Sequence, residues 1–161
     1  FNLYEEYWKI YTKSDRIPPQ YISSDAKITK CIIGEGSEIY GEVTNSVIGS
    51  GVVIEEGAVV KDSIIMQDVA IGNDCVIDKA IIAENVKVGD NVTLGIGNEA
   101  PNKLRSDIYN SGLVTIGENS VIPAGVQIGK NTAISGVTSS EDYIDGVLAS
   151  GETLIKAGER V

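Results

Sequence analysis

An aliphatic residue returns every six positions along most of this chain, and this repeat restricts the fold more than any other feature. Each unit begins with Ile, Val or Leu, often continues with Gly, and carries two turn-forming residues before a small residue or Val. A short fixed period is typical of solenoid proteins, in which stacked units share one continuous core. The units begin at Ile33, Ile39, Ile48, Ile54, Val60, Ile65, Ile71, Ile77, Ile82, Val88, Leu94, Ile116, Ile122, Ile128 and Ile134.

The spacing of the units predicts that three of them close one coil. Ile48 and Ile65 are 17 residues apart, and Ile82 follows Ile65 by another 17. If successive coils pair as parallel strands about 4.8 Å apart, these three side chains stack in one inward-facing column. Ile54, Ile71 and Val88 form a second column by the same argument. The sequence therefore predicts an all-β solenoid of triangular cross-section, although the period does not determine its handedness.

Small residues at the fifth position of a unit are expected near the corners, where a larger side chain would clash. Cys75 has this position, which gives it a packing role, whereas Cys31 falls in a different column, level with Ser46, Ser63 and Ala80. We therefore expect two reduced cysteines and no disulfide. The fifth-position residues are Ser37, Ala58, Cys75, Ser120 and Thr132.

Three segments depart from the repeat. Residues 1–21 are rich in aromatic side chains and are expected to connect to an absent domain and to cap one end of the solenoid, which spans residues 22–136. Residues 95–113 interrupt the coils as a side loop, whose cations are Lys103 and Arg105. Residues 137–161 are expected to fold back and close the other end, with a turn at 139–143 and strands near 146–149 and 153–156.

Composition excludes several classes of function. The 13 Lys and Arg residues against 23 Asp and Glu leave a net charge of −10, which opposes nucleic acid or anionic membrane as a partner. The absence of histidine excludes a Ser-His-Asp or Cys-His nucleophile and a His-ligated zinc. No apolar run is long enough to span a bilayer, and we expect no charged-then-apolar leader. We expect a cytoplasmic protein.

The outer corners carry many carboxylates, which stacked together would suit Ca²⁺ or a pair of acid and base groups. The repeat requires polar residues there in any case, so we interpret them as a solvated surface and predict no metal ligand and no catalytic residue. Solvation is likewise favoured over an anionic ligand for Lys103 and Arg105. The corner carboxylates are Glu35, Glu38, Glu55, Glu56, Asp62, Asp68, Asp74, Asp78, Glu84 and Asp90.

Longer motifs resemble the C-terminal domain of bacterial glucose-1-phosphate adenylyltransferases (ADP-glucose pyrophosphorylases). The hexads are generic, but the entry segment is more specific: Leu3-Tyr4, then Trp8-Lys9-Ile10-Tyr11-Thr12 and Ile17-Pro18-Pro19. Within the coils the resemblance is carried by Gly41-Glu42-Val43-Thr44-Asn45-Ser46-Val47-Ile48 and Val60-Lys61-Asp62-Ser63-Ile64-Ile65-Met66. It covers nearly the whole chain and weakens in the side loop and the tail.

This resemblance implies a left-handed β-helix that serves regulation and assembly. The full enzymes make ADP-glucose and pyrophosphate from ATP and glucose 1-phosphate with Mg²⁺, a committed step of glycogen synthesis. Their nucleotide loop and metal carboxylates lie in an N-terminal α/β domain, so the resemblance assigns neither a catalytic residue nor a cofactor to this chain. It implies that domain as a partner, and a homo-oligomer (a tetramer in the family) or a hetero-oligomer with a paralogue.

The resemblance also implies a phosphorylated effector bound between the domains, partly near the C-terminus. Enteric members place basic residues there, whereas the comparable stretch here, Gly151-Glu152-Thr153-Leu154-Ile155-Lys156, keeps one. The effector-site hypothesis is Lys156 and Arg160, with Arg16. Three alternatives stay open: a non-catalytic regulatory paralogue, a pyrophosphorylase for another sugar phosphate, and a stand-alone structural solenoid.

Overall fold

Twenty short strands stack into three parallel sheets in the computed structural model, which describes residue 7 and residues 17–156. Face A contains β1 (Tyr21–Ile22), β4 (Glu38–Ile39), β7 (Val53–Ile54), β10 (Ala70–Ile71), β13 (Lys87–Val88) and β16 (Val121–Ile122). Face B contains β2 (Lys27–Thr29), β5 (Glu42–Thr44), β8 (Val59–Lys61), β11 (Val76–Asp78), β14 (Thr93–Ile96), β17 (Gln127–Gly129) and β19 (Val147–Leu148). Face C contains β3 (Ile32–Ile33), β6 (Val47–Ile48), β9 (Ile64–Ile65), β12 (Ala80–Ile82), β15 (Val114–Ile116), β18 (Thr132–Ser135) and β20 (Thr153–Ile155).

The three faces form a left-handed parallel β-solenoid, as predicted. Ile48 pairs with Ile65 and Ile65 with Ile82, so the first predicted column is confirmed. Ile71 pairs with Ile54 and with Val88, which confirms the second. All of these side chains are buried. Burying an aliphatic side chain of this size contributes about 1.5–3 kcal/mol, so these columns hold the coils together.

The corners between faces are built from residues that tolerate a left-handed backbone. Asn85, Asn91 and Asn119 have φ of 57°, 56° and 56°, and Gly51 has φ of 69°. Asn and Asp adopt this region more readily than other non-glycine residues because their short polar side chains bond to the local backbone. The turn residues of each hexad therefore produce the change of direction that the repeat predicted.

The small fifth-position residues are buried, as expected, but equally buried valines hold the same position in other units, among them Val52, Val69 and Val92, so the position does not require a small side chain. Cys75 directly precedes β11 of face B, whereas Cys31 directly precedes β3 of face C, and both thiols are free. Desolvation raises the pKa of the Cys75 thiol, which disfavours the reactive thiolate. In the Cys31 column the hydroxyls bond between coils: Ser63 N donates to Ser46 Oγ at 3.1 Å, and Ala80 N donates to Ser63 Oγ at 3.0 Å.

The described part of the tail does not fold back over the end of the solenoid, which differs from the prediction. Its turn is a 3₁₀ helix, Ser140–Asp142, and its two strands exist, but β19 pairs parallel with β17 and β20 parallel with β18. Leu148 and Leu154 occupy inward positions opposite Ile128 and Ile134. The described part of the tail, up to residue 156, therefore adds a seventh, two-strand coil instead of folding back, because two aliphatic residues continue the columns.

The first coil is only partly covered. Its inward Ile22 is exposed, and Ile28 and Ile33 are half-buried, whereas Ile39 in the second coil is fully buried. The segment predicted to cap this end, residues 1–21, lies mostly outside the described residues. Where the chain is described, its sole helix is three residues long and too short to cross a membrane.

Candidate functional site

The side loop, residues 97–113, is fastened to the last coils by one buried amide. Asn102 is only 3% exposed, although its neighbours in the loop face solvent. Its Nδ2 donates to Asn131 O at 2.8 Å and to Thr153 Oγ1 at 3.0 Å. Its Oδ1 accepts from the backbone N–H groups of Leu104 at 3.0 Å and Arg105 at 2.8 Å. Asn102 therefore fixes the loop tip against β20.

A second buried amide holds the two ends of the loop. Asn131 Oδ1 accepts from Gly112 N at 2.7 Å, and its Nδ2 donates to Ala100 O at 2.9 Å. The peptide of Lys103 adds a bond to Gly151 O at 2.8 Å. Movement of the loop would leave these buried polar groups without partners, which would destabilise the protein strongly. The two asparagines therefore hold the loop in one position.

Both loop cations are paired with carboxylates. Lys103 Nζ contacts Glu152 Oε1, and the guanidinium of Arg105 donates two bonds of 3.0 Å to Asp107. The bonds from Arg105 lower the pKa of the Asp107 carboxyl. These pairs lie at the surface, which agrees with the interpretation of the two cations as solvated loop charges.

Lys156 follows β20 directly and is paired in the same way. Its Nζ lies 2.5 Å from Asp142 Oδ2, and that oxygen also accepts from Ser139 N at 2.7 Å and Ser139 Oγ at 3.0 Å. The hydrogen bond from Lys156 is the largest cause that lowers the pKa of the Asp142 carboxyl. Lys103–Glu152 and Lys156–Asp142 therefore flank the two ends of β20, about 13 Å apart for four extended residues.

The structure places one of the three predicted effector residues, since Arg16 and Arg160 lie outside the described residues. Ile17, which follows Arg16, lies beside Gly36 at the start of the solenoid. Six coil spacings separate that end from β20, roughly 29 Å at 4.8 Å each. The sequence did not reveal the partners Asp142 and Glu152, because their contacts depend on the tail extending the coils.

A surface groove of about 340 Å³ lies at the opposite end of the molecule. Asp25, Glu42 and Glu56 line it together with Lys27. The ring of Tyr40, also in the groove, lies 5.6 Å from that of Tyr21. This excess of carboxylates opposes an anionic ligand, so the groove does not fit a phosphorylated effector.

The corner carboxylates do not form a recognisable cation site. Among residue 7 and residues 17–156, no group of three or more Cys, Asp or Glu residues is arranged to hold a metal ion. Asp62 and Asp90 instead accept from neighbouring asparagines: Asn45 Nδ2 reaches Asp62 Oδ1 at 2.6 Å, and Asn73 N reaches Asp90 Oδ1 at 2.8 Å. These acids stabilise the corners.

Replacing Asn102 with Ala should release the side loop. The substitution removes the partner of two backbone N–H groups and of Thr153, so trypsin should cleave after Lys103 and Arg105 at least about tenfold faster than in the unmodified chain. Limited proteolysis followed by mass spectrometry measures this. Asn110→Ala, in the same loop but exposed, is the matched control and should leave the rate unchanged. Equal rates for both variants would show that Asn102 does not hold the loop.

Comparisons of this chain with known proteins identify its family. The model of GlmU-like, C-terminal hexapeptide domains matches residues 17–116. Glucose-1-phosphate adenylyltransferase of Lachnospira eligens is 74% identical over 99% of this chain, which covers 38% of that protein. The enzyme of the same name from Acetivibrio thermocellus is 44% identical over 99% of this chain and 37% of its own length. The chain thus spans somewhat more than a third of these relatives.

Among solved structures, an Arabidopsis UDP-N-acetylglucosamine acyltransferase superposes with a TM-score of 0.50. The two sequences are 14% identical, and the matched region covers 86% of this chain and 56% of the acyltransferase chain. At this identity the likeness concerns the fold alone.

Proposed function

This chain belongs to the family of GlmU-like, C-terminal hexapeptide domains, and on that premise we propose that it is the β-helical part of a glucose-1-phosphate adenylyltransferase. The observation that carries the proposal is the 74% identity to an enzyme of that name, sustained over 99% of the chain. The match therefore includes the side loop and most of the tail as well as the generic hexads.

The proposed reaction converts ATP and glucose 1-phosphate to ADP-glucose and pyrophosphate with Mg²⁺, as a step of glycogen synthesis in the cytoplasm. Catalysis is assigned to a nucleotidyltransferase domain outside these 161 residues, because the relatives are more than twice as long as their match to this chain. The chain itself supplies no histidine, the usual general base of acyl transfer, which argues against the activity of its fold neighbours. Its proposed roles are assembly of the oligomer and regulation.

Activity measurements test this assignment. The 161-residue chain alone should form no ADP-glucose from ATP and glucose 1-phosphate, and the complete protein encoded by the same reading frame should form it. Synthesis by the isolated chain would contradict the division of labour. A complete protein that prefers another sugar phosphate, or that is inactive, would contradict the assigned reaction and support the related pyrophosphorylase or the regulatory paralogue.

For regulation, we propose that Lys156, with Arg160 and Arg16, contributes to a site for a phosphorylated effector. The position of Lys156 beside Asp142 supports a particular form of this proposal: the carboxylate holds the cation when no effector is bound, and an incoming phosphate displaces it.

Substitutions at this pair should change effector affinity in opposite directions. In the complete protein, Lys156→Ala should weaken binding of a sugar bisphosphate by about tenfold or more, because a charge-assisted bond to phosphate is lost. Asp142→Asn should strengthen it several-fold, because Lys156 is released from its partner. Isothermal titration with fructose 1,6-bisphosphate measures both, and Lys103→Ala is the matched control on the other end of β20. Binding that survives Lys156→Ala together with Arg160→Ala would eliminate the site.

A further inference from the structure

The outer surface of face C is apolar over four successive coils. Ile32, Val47, Ile64 and Ile81 pair with one another in register from β3 to β12 and all point away from the core. Val47 is 40% exposed and Ile64 43% exposed. The residue two positions further along in each coil is also uncharged: Gly34, Gly49, Met66 and Ala83.

The other two faces do not share this character. On face A, Glu38 and Lys87 stand at the outward position that Val47 and Ile64 hold on face C. On face B, Lys27 and Glu42 do the same. Charged outward residues keep sheet surfaces soluble and separate, so their absence from one face marks it as a surface that packs against another. The fifth coil ends the stripe, where Thr115 pairs with Ile81.

Charges of opposite sign line the two long edges of the stripe. Lys30 and Lys79 precede the first and fourth strands, and Glu35 and Glu84 follow them. The two middle coils carry Asn45 and Asp62 on the first edge and Ser50 and Gln67 on the second. In the first and fourth coils, therefore, a basic residue lies on one edge of the stripe and an acidic residue lies on the other, separated by the width of the face.

From this arrangement we propose that face C packs against face C of a second copy of this chain, about a twofold axis parallel to the solenoid. Such an axis places each coil opposite the same coil of the partner with its strand direction reversed. The basic edge of one copy then faces the acidic edge of the other, which brings Lys79 against Glu84 of the partner subunit and Lys30 against Glu35 of the partner subunit. A twofold axis along the strands would instead bring Lys30 against Lys79, so the charges select the first arrangement.

The size of the stripe predicts how tightly the copies associate. Four coils extend about 19 Å along the solenoid, and a side of about five extended residues is roughly 16 Å wide, so the stripe covers roughly 300 Å². A standard stable interface buries about 800 Å² per partner. The dimer of the isolated chain therefore dissociates on dilution. This inference specifies the surface for the assembly role proposed above, but it does not depend on the nucleotidyltransferase activity.

A matched pair of lysine substitutions locates the surface. Ile64 and Val76 are both 43% exposed and occupy the same outward position on faces C and B. In sedimentation equilibrium of the 161-residue chain at low salt, Ile64→Lys should abolish the dimer at concentrations where the unmodified chain is mostly dimeric, because two charges enter a dry interface. Val76→Lys should leave the dissociation constant unchanged.

Charge reversal tests the register. Lys79→Glu and Glu84→Lys should each weaken the dimer by roughly tenfold, because two attractive pairs become repulsive. The double variant, Lys79→Glu with Glu84→Lys, should restore the original affinity, since both pairs are re-formed with exchanged partners. Circular dichroism melting confirms that each variant is folded.

Three results would overturn the proposal: a chain that is monomeric at all concentrations up to about 1 mM, equal effects of Ile64→Lys and Val76→Lys, or no restoration in the double variant. The first would indicate that the stripe binds a different protein surface, such as that of another domain. These outcomes are independent of ADP-glucose synthesis, so failure of this proposal and failure of the proposed function are distinguishable.

Discussion

Replacing Ile77 with Ala should lower the free energy of unfolding by about 2–5 kcal/mol, because it removes a fully buried side chain and leaves a cavity. Ile77 is 0% exposed and pairs with Val60 below it and Leu94 above it. Each coil of a β-solenoid supplies only one side chain to each column of the core. Few neighbouring side chains can therefore move into the vacated space. Urea unfolding monitored by circular dichroism measures the change.

The adjacent residue provides the control. Val76 lies in the same strand and is 43% exposed, so Val76→Ala should change the free energy of unfolding by less than about 0.5 kcal/mol. Similar losses at the two positions would mean that the strand does not alternate between core and solvent, contrary to the three-sided solenoid.

Replacing Gly41 with Ala should destabilise the protein by about 1–3 kcal/mol or more, although only one methyl group is added. A Cβ at this position would lie 2.3 Å from Ala58 O and 3.0 Å from Glu55 O. Both atoms are backbone of the next coil, so the added methyl group must push two coils apart. Ala58 O also accepts the bond from Glu42 N at 2.8 Å, which the displacement would stretch.

Gly117 is the matched control for this substitution. A Cβ there would meet the Oγ of Ser135 at 3.1 Å and its Cβ at 3.3 Å, and the nearest backbone atom, Ile134 O, would lie 3.5 Å away in ordinary van der Waals contact. Gly117→Ala should therefore cost less than about 1 kcal/mol in the same urea experiment, if it costs anything. Equal losses at the two glycines would show that the spacing between coils is not what Gly41 maintains.

The sequence predicted the coils well because a repeat places equivalent residues in equivalent surroundings. Ile48, Ile65 and Ile82 each begin a unit, and the same inward position follows for all three once one coil is understood. The burial of Cys75 and the corner geometry at Asn85 are consequences of the same repetition. These features could be read without knowledge of any long-range contact.

The site near β20 could not be predicted, because its contacts occur once and join distant segments. Asn102 belongs to a polar loop, and nothing in its local sequence shows that it is buried against Asn131 and Thr153. The course of the tail depended on whether Leu148 and Leu154 would continue the columns after a connection longer than a hexad. The pairing of Lys156 with Asp142 follows from that course, so it was missed as well.

Stacking of equivalent residues at a spacing of 17 is the claim on which the fold, the family and the proposed surface all depend. Nuclear Overhauser effects between isoleucine δ1 methyl groups, in a selectively labelled sample of this 17.1 kDa chain, measure it directly. We expect cross-peaks from Ile48 to Ile65 and from Ile65 to Ile82, which lie one coil apart, and a much weaker one from Ile48 to Ile82, about 9.6 Å apart. Cross-peaks that instead join only near neighbours in sequence, with none between Ile48 and Ile65, would contradict the account.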